Sequence, residues 1–292
     1  MAPLTAIIDK TTPGDKVIKL FYTTGKAQLG LALWSGTNDA DPEDSIQTPQ
    51  EVGDGQYILN PSQMASVNFQ GVERVFALTT ANPFKVTKDD IYTISEVSPS
   101  YQKRGEVVIG NTTLASCASA DNAWVYFSQP VGAETRNLCE LDLQSSNITT
   151  LGSTTDLRLN AFAAAWYDNT TGKRSIIYEG STLTEYVVGD GIWGSAIPTT
   201  GDVQRNSPVA VAFEAGTVYL YYCWTGTAGG IKRTTKTNNG WGLSTPVNDH
   251  TIAQDSQLTV VRANGINHLF YVARDANDAE ENYFVHYRDE PK

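Results

Sequence analysis

Short apolar stretches recur along the chain between polar breaks, and six of them align: IKLFYTT from Ile18, ERVFALT from Glu73, AWVYFSQ from Ala123, RSIIYEG from Arg174, VYLYYCW from Val218 and NHLFYVA from Asn267. Their second positions are Lys19, Arg74, Trp124, Ser175, Tyr219 and His268, spaced by 55, 50, 51, 44 and 49 residues. Each stretch is rich in Val, Ile, Leu, Phe and Tyr and is bounded by Gly, Asn, Asp, Thr or Pro, the composition of short sheet strands. Helical periodicity is absent. A strand-built repeat near fifty residues predicts a β-propeller.

The runs around each stretch fill out a blade. Before it comes a run dominated by small residues (LTAIID, ASVNFQ, LASCAS, AFAAAW, VAVAFE, LTVVRA), suited to the innermost strand, where blades crowd an axis. After it comes a more charged third run (LGLALW, IYTISEV, NLCELDL, TLTEYVV, GIKRTT, YFVHYR), and most blades have a fourth, such as EVVIGNT from Glu106 or SAIPTTGDV from Ser195. The expected fold is all-β: a six-bladed β-propeller of mostly four-stranded antiparallel blades, with residues 1–292 forming a single domain. The last blade is the exception, because the sequence stops at Lys292 just after its third run. That blade is expected to have three strands or to borrow a closing segment, so that no sheet edge is left open.

Composition narrows the function classes. With 40% hydrophobic and 18% charged residues the chain builds an ordinary globular core. No apolar run reaches the ~18 residues of a membrane span. A formal charge of −11 argues against nucleic acid, which requires clustered Lys and Arg. The N-terminus lacks an apolar signal core, whereas the sequons at Asn111, Asn147 and Asn169 tilt the reading towards secretion with a leader removed. Cys117 and Cys139 fall on the first and third strands of one blade, roughly 9–10 Å apart. A disulfide spans at most about 7 Å, so these two and Cys223 read as unpaired core thiols.

Motifs of hydrolases, nucleotide binding and metalloproteases are missing, and so is CxxC. The three histidines, His250, His268 and His286, have no metal-ligand neighbour at useful spacing, so no metal site is expected. The pairs Asp89-Asp90 and Glu280-Glu281 read as solvated turns.

An inner strand, then a basic residue before a Val/Leu-Phe/Tyr strand, then a strand with Ile-x-Glu and a loop ending in tryptophan resembles the fungal fucose-specific lectins. The best local likenesses are STLTEYVVGDGIWGSA from Ser181 and GGIKRTTKTNNGWGLSTPV from Gly229. The resemblance spans the chain and implies a six-bladed propeller whose inter-blade sugar sites use a second-strand arginine, a third-strand glutamate and a loop aromatic. Charged groups would grip vicinal hydroxyls while the aromatic covers the apolar sugar face. Here the arginine column reads Lys19, Arg74, Trp124, Ser175, Tyr219, His268, and the glutamate column reads Leu31, Thr93, Glu140, Glu185, Arg233, Val285. Loop tryptophans remain at Trp193 and Trp241. A one-residue slip would unite Arg174, Glu185 and Trp193, at the cost of turning Arg174's neighbours to the other sheet face.

Loss of repeated sites removes the multivalency that repeated weak lectin sites exploit. The degenerate triads resemble a second branch of the fold, the hetero-Diels–Alderases of tropolone–sesquiterpene biosynthesis. That resemblance implies cofactor-free addition of a quinone methide to a humulene-type olefin. The expected wall comprises Trp34, Trp124, Trp166, Trp193, Tyr219 and Trp241, with Glu140 and Glu185 as further substrate contacts. The expected donors are Lys19, Arg74, Tyr92, Arg233 and His268. The partner is then a terpenoid or polyketide-derived molecule, and the protein works alone or as a homodimer. A fucosylated-glycan lectin and a non-catalytic interaction propeller are the alternatives.

Overall fold

The computed structural model describes residues 3–12, 17–35, 44–82, 92–107, 112–131, 136–154, 157–158, 160–191, 194–226, 230–253, 255–274 and 282–291. They form six antiparallel sheets. Blade 1 is β1 (Leu4–Ile8), β2 (Ile18–Thr23), β3 (Leu29–Trp34) and β4 (Asp44–Ile46). Blade 2 contains β5 (Tyr57–Ile58), β6 (Met64–Phe69), β7 (Val72–Thr80), β8 (Tyr92–Ser98) and β9 (Gln102–Val107), β5 and β6 both pairing with β7. Blade 3 is β10 (Leu114–Ala118), β11 (Ala123–Pro130), β12 (Arg136–Asp142) and β13 (Ile148–Thr154); blade 4 is β14 (Ala163–Asp168), β15 (Lys173–Glu179), β16 (Leu183–Val187) and β17 (Ser195–Ala196). Blade 5 has β18 (Val209–Glu214), β19 (Thr217–Cys223) and β20 (Ile231–Thr237), on which β21 (Gly240–Trp241) and β22 (Thr245–Asn248) both pair. Blade 6 has three strands, β23 (Thr259–Ala263), β24 (Ile266–Arg274) and β25 (Asn282–Asp289). The single helical piece among the described residues is a 3-10 turn, Pro198–Thr200.

The small-residue runs are the inner strands. Each of β1, β6, β10, β14, β18 and β23 touches the next around the ring, and β1 meets β23 to close it. Ala6, Ala65, Ala115, Ala164, Ala210 and Val260 line a narrow central channel with a cavity of only 130 Å³. Small side chains are required because strands converge there. Blade 6 stays three-stranded, and among the described residues no segment of blade 1 joins its sheet. Cys117, Cys139 and Cys223 are buried free thiols, as their strand placement predicts.

An inner strand has a blade partner on one side only, so backbone groups on its axial side need other partners. Two buried glutamines supply them. Gln257 accepts from the N–H of Leu4 (3.1 Å) and of Met64 (2.8 Å) and donates to the Met64 carbonyl (2.7 Å), tying blades 6, 1 and 2. Gln63 accepts from Leu114 N–H (3.2 Å) and Ala163 N–H (2.9 Å) and donates to the Ala163 carbonyl (2.9 Å), tying blades 2, 3 and 4.

Between blades lie six hydrophobic cores, each shared by two neighbours. Phe21 of blade 1 packs with Val75 and Ala77 of blade 2, Phe76 with Val125 and Phe127, and Tyr126 with Ile176 and Tyr178. Ile177 packs with Leu220 and Tyr222, Tyr221 with Leu269 and Tyr271, and Phe270 with Ile18 and Leu20. Alternation along each second strand therefore sends one set of side chains to the following blade and the other to the preceding one.

Replacing Gln257 by alanine strands two buried N–H groups and a carbonyl; at roughly 1–3 kcal/mol for an unmet buried group, stability should fall by about 2–4 kcal/mol. Denaturant unfolding of Gln257→Ala against the exposed control Leu243→Ala measures this, and equal midpoints would contradict it.

Candidate functional site

The strand alternation places the chemistry at the blade seams. Lys19, Arg74, Trp124, Ser175, Tyr219 and His268 all share the parity of the residues that face the following blade, so they lie on six successive seams and not around one pocket. Two residues further along, their strands pair with Leu31, Glu96, Glu140, Glu185, Arg233 and His286 on the third strands. This corrects the expected glutamate column at two places. Thr93 pairs with Thr79, and from there an unbroken register runs to Phe76 opposite Glu96, so Glu96 holds the position; the bulge at Val75/Phe76 comes only after it. Val285 turns into the core shared with blade 5, leaving His286 in the column.

Each seam then closes most of its charges on one another. At seam 2/3 Arg74 donates to Glu96 Oε1 (2.7 Å) and lies over the Phe69 ring, while Arg104 holds Glu96 Oε2 from the neighbouring strand. Tyr92 is buried in the core of the same seam. At seam 3/4 Arg174 comes from blade 4, pairs with Glu140 at 3.2 Å and covers the Trp124 ring at 4.4 Å, with Tyr167 stacked on Trp124 at 5.9 Å. Arg174 therefore faces blade 3 while Glu185 faces blade 5, so the expected union of Arg174 with Glu185 does not form; Trp193 lies outside the described residues. At seam 4/5 Glu185 accepts from Lys236 (2.6 and 2.8 Å) and from Trp241 Nε1 (3.0 Å), beside the buried Trp166. At seam 5/6 Arg233 pairs with Asp289, which also accepts from Tyr221 (2.6 Å), and Arg262 covers Tyr219 at 4.6 Å.

At seams 1/2 and 6/1 open space adjoins the column residues or the tryptophan wall. At seam 1/2 Lys19 bridges Asp9 and Glu73 beside a 340 Å³ cavity. At seam 6/1 a groove of 510 Å³ is walled by Leu4, Leu20, Tyr22, Trp34, Val272 and Phe284. Gly30 stands opposite Tyr22, and a Cβ there would collide with the tyrosine ring, so glycine lets that ring lie flat as a wall. Trp34 packs edge-on against His286 (4.4 Å) and Phe270 (5.8 Å). Its Nε1 is buried without a hydrogen-bond partner among the described residues. Sequence reading placed Trp34 among wall aromatics and missed the free donor, which only packing reveals. Among the described residues no group of three or more His, Cys, Asp or Glu is arranged to hold a metal ion.

Below Trp34, His268 Nδ1 and His286 Nε2 are 3.0 Å apart with their rings nearly parallel. Burial, then the charges of His268 and Arg288, pushes His286 down from 6.5 to about 3. Burial also raises Glu140, opposed by the Arg174 charge.

Solved structures of the same architecture exist. The Aleuria aurantia lectin, described as a six-bladed β-propeller with a novel fucose recognition mode, superposes with a TM-score of 0.69 at 12% identity over 98% of this chain and 91% of the lectin. AofleA from Arthrobotrys oligospora gives 0.64 at 12% over 99% and 82%. The SapL1 lectin, solved with α-methyl fucoside, gives 0.59 at 11% over 98% and 94%. At these identities the likeness establishes the six-bladed fold. No protein-family model and no curated protein sequence matches the chain.

His286 sets a pH dependence. Between about pH 3 and 6.5 the unfolded chain takes up a proton that the folded chain refuses, so stability falls as pH drops through that window. The slope contributed is at most about 1.4 kcal/mol per pH unit. Denaturant midpoints from pH 7 to 4 should decline in the native chain and decline less in His286→Phe; parallel declines would remove His286 as the cause.

Proposed function

We propose that the protein is a cofactor-free pericyclase that joins a quinone-methide heterodiene to a humulene-type olefin in the groove between blades 6 and 1. The observation that carries this reading is a 510 Å³ apolar groove walled in part by Trp34, whose Nε1 is buried without a hydrogen-bond partner among the described residues. The reaction converts three π bonds into one C–C bond, one C–O bond and one new C=C bond, and no proton or electron leaves. Its demands are accordingly modest: two apolar partners held in one orientation, worth up to about 7–11 kcal/mol, and a donor on the heterodiene carbonyl. The leucines, Val272 and Phe284 supply the first, and Trp34 supplies the second. Arg74 and Arg233 are paired at other seams, Tyr92 lies in the core of seam 2/3, Lys19 lies at seam 1/2 and His268 is paired with His286, which leaves Trp34 as the better donor at this groove.

Purified protein should accelerate the addition and impose one stereoisomer. Trp34→Phe keeps the ring and loses the N–H, so the rate should drop roughly ten- to a thousand-fold, by analogy with one preorganised donor. Product ratios and rates equal to those of the enzyme-free reaction would end this reading.

A glycan-binding role is the second reading. It is favoured by the fucoside-bound six-bladed neighbours and by the gathering of Arg174, Glu140 and Trp124 at seam 3/4. The arginine there covers the aromatic face on which a sugar would stack, and a ligand must first displace it. Each lost charged hydrogen bond costs about 1.5–3 kcal/mol, so methyl α-L-fucoside should bind more weakly than about 1 mM. Micromolar saturation at several sites per chain in a calorimetric titration would favour the lectin instead.

A further inference from the structure

The cavity at seam 1/2 has a polar corner and an apolar floor. In the corner Lys19 Nζ donates to Glu73 Oε2 at 2.7 Å and reaches Asp9 Oδ2 at 3.3 Å. Burial works to raise Asp9, but the Thr11 hydroxyl and amide and the Lys19 ammonium hold it down to about 2, so it stays ionised. The Glu73 side chain is 12% exposed, and its Oε1 is buried without a partner among the described residues. An ammonium has three N–H groups, of which the two carboxylates take two. The corner therefore holds one spare donor on Lys19 and, beside it, one buried and unpartnered acceptor on Glu73. With two carboxylates against one ammonium, it also disfavours anions. Phe21, Leu29, Leu31, Val72 and Pro99 form the apolar remainder of the 340 Å³ space.

We propose that this seam is a second binding site, for a small neutral arene bearing neighbouring hydroxyls, a catechol-type ring. One hydroxyl donates to Glu73 Oε1, its neighbour accepts from Lys19 Nζ, and the ring face lies on Phe21, Leu31 and Pro99. The site is separate from the groove at seam 6/1, because β1 to β4 stand between them and present opposite faces to the two.

The test is a calorimetric titration of the whole chain with catechol under reducing conditions. Saturable one-site binding is expected, weakened about ten- to a hundred-fold in Glu73→Gln, the effect of losing a charged acceptor. 1,2-Dimethoxybenzene, which has no hydroxyl to donate, should bind at least ten-fold more weakly than catechol. Equal affinity for the two compounds, or unchanged catechol binding in Glu73→Gln, overturns the proposal. Should Glu73→Gln fail to fold, the cavity-filling Leu31→Trp replaces it and must abolish binding. Trp34→Phe separates the two sites: catechol binding unaltered in that variant places the ligand at seam 1/2, and its loss would place catechol in the groove and refute the proposal.

Discussion

The propeller depends on satisfying the axial side of its inner strands. Six strands converge with a sheet partner on one side only, and water reaches their other side poorly in a channel this narrow. Gln63 and Gln257 meet that constraint by reaching across blade boundaries, each binding backbone groups of two other blades. The same bonds tie neighbouring blades to one another across their boundaries.

At the seams the two faces of each sheet have different owners. A side chain of even or odd position along the second strand belongs to the preceding or the following blade, and charges are neutralised across that boundary: Lys19 by Glu73, Glu140 by Arg174, Glu185 by Lys236. At seam 1/2 a cavity lies beside the Lys19–Glu73 pair, and at seam 6/1 apolar walls enclose a groove instead.

Much of the fold was legible from strand composition and period, because inner strands must be small and every blade repeats the same crowding. The column facing each following blade was legible for the same reason, through strict alternation. Glu96 escaped because residues 81–91 form the longest second-to-third-strand connection of the six blades, so the hydrophobic pattern does not fix which third-strand residue meets Phe76. Glu73, Lys236 and the pairing of Arg174 with Glu140 escaped because comparison down a column looks within one blade, whereas these partners sit on the preceding one. Trp34 differs from Trp124, whose N–H is equally buried and unpartnered among the described residues, in walling the groove at seam 6/1, and that is decided by packing alone.

Blade walls that belong to two seams impose an evolutionary accounting. Substitutions at seams 1/2 and 4/5 share no sheet, so their effects should add, as for sites without common partners. Substitutions on the two faces of blade 1 meet through a single sheet and its shared backbone. A propeller of this kind can therefore remodel one seam while the opposite side of the ring keeps its packing, and only the neighbouring seams constrain the change.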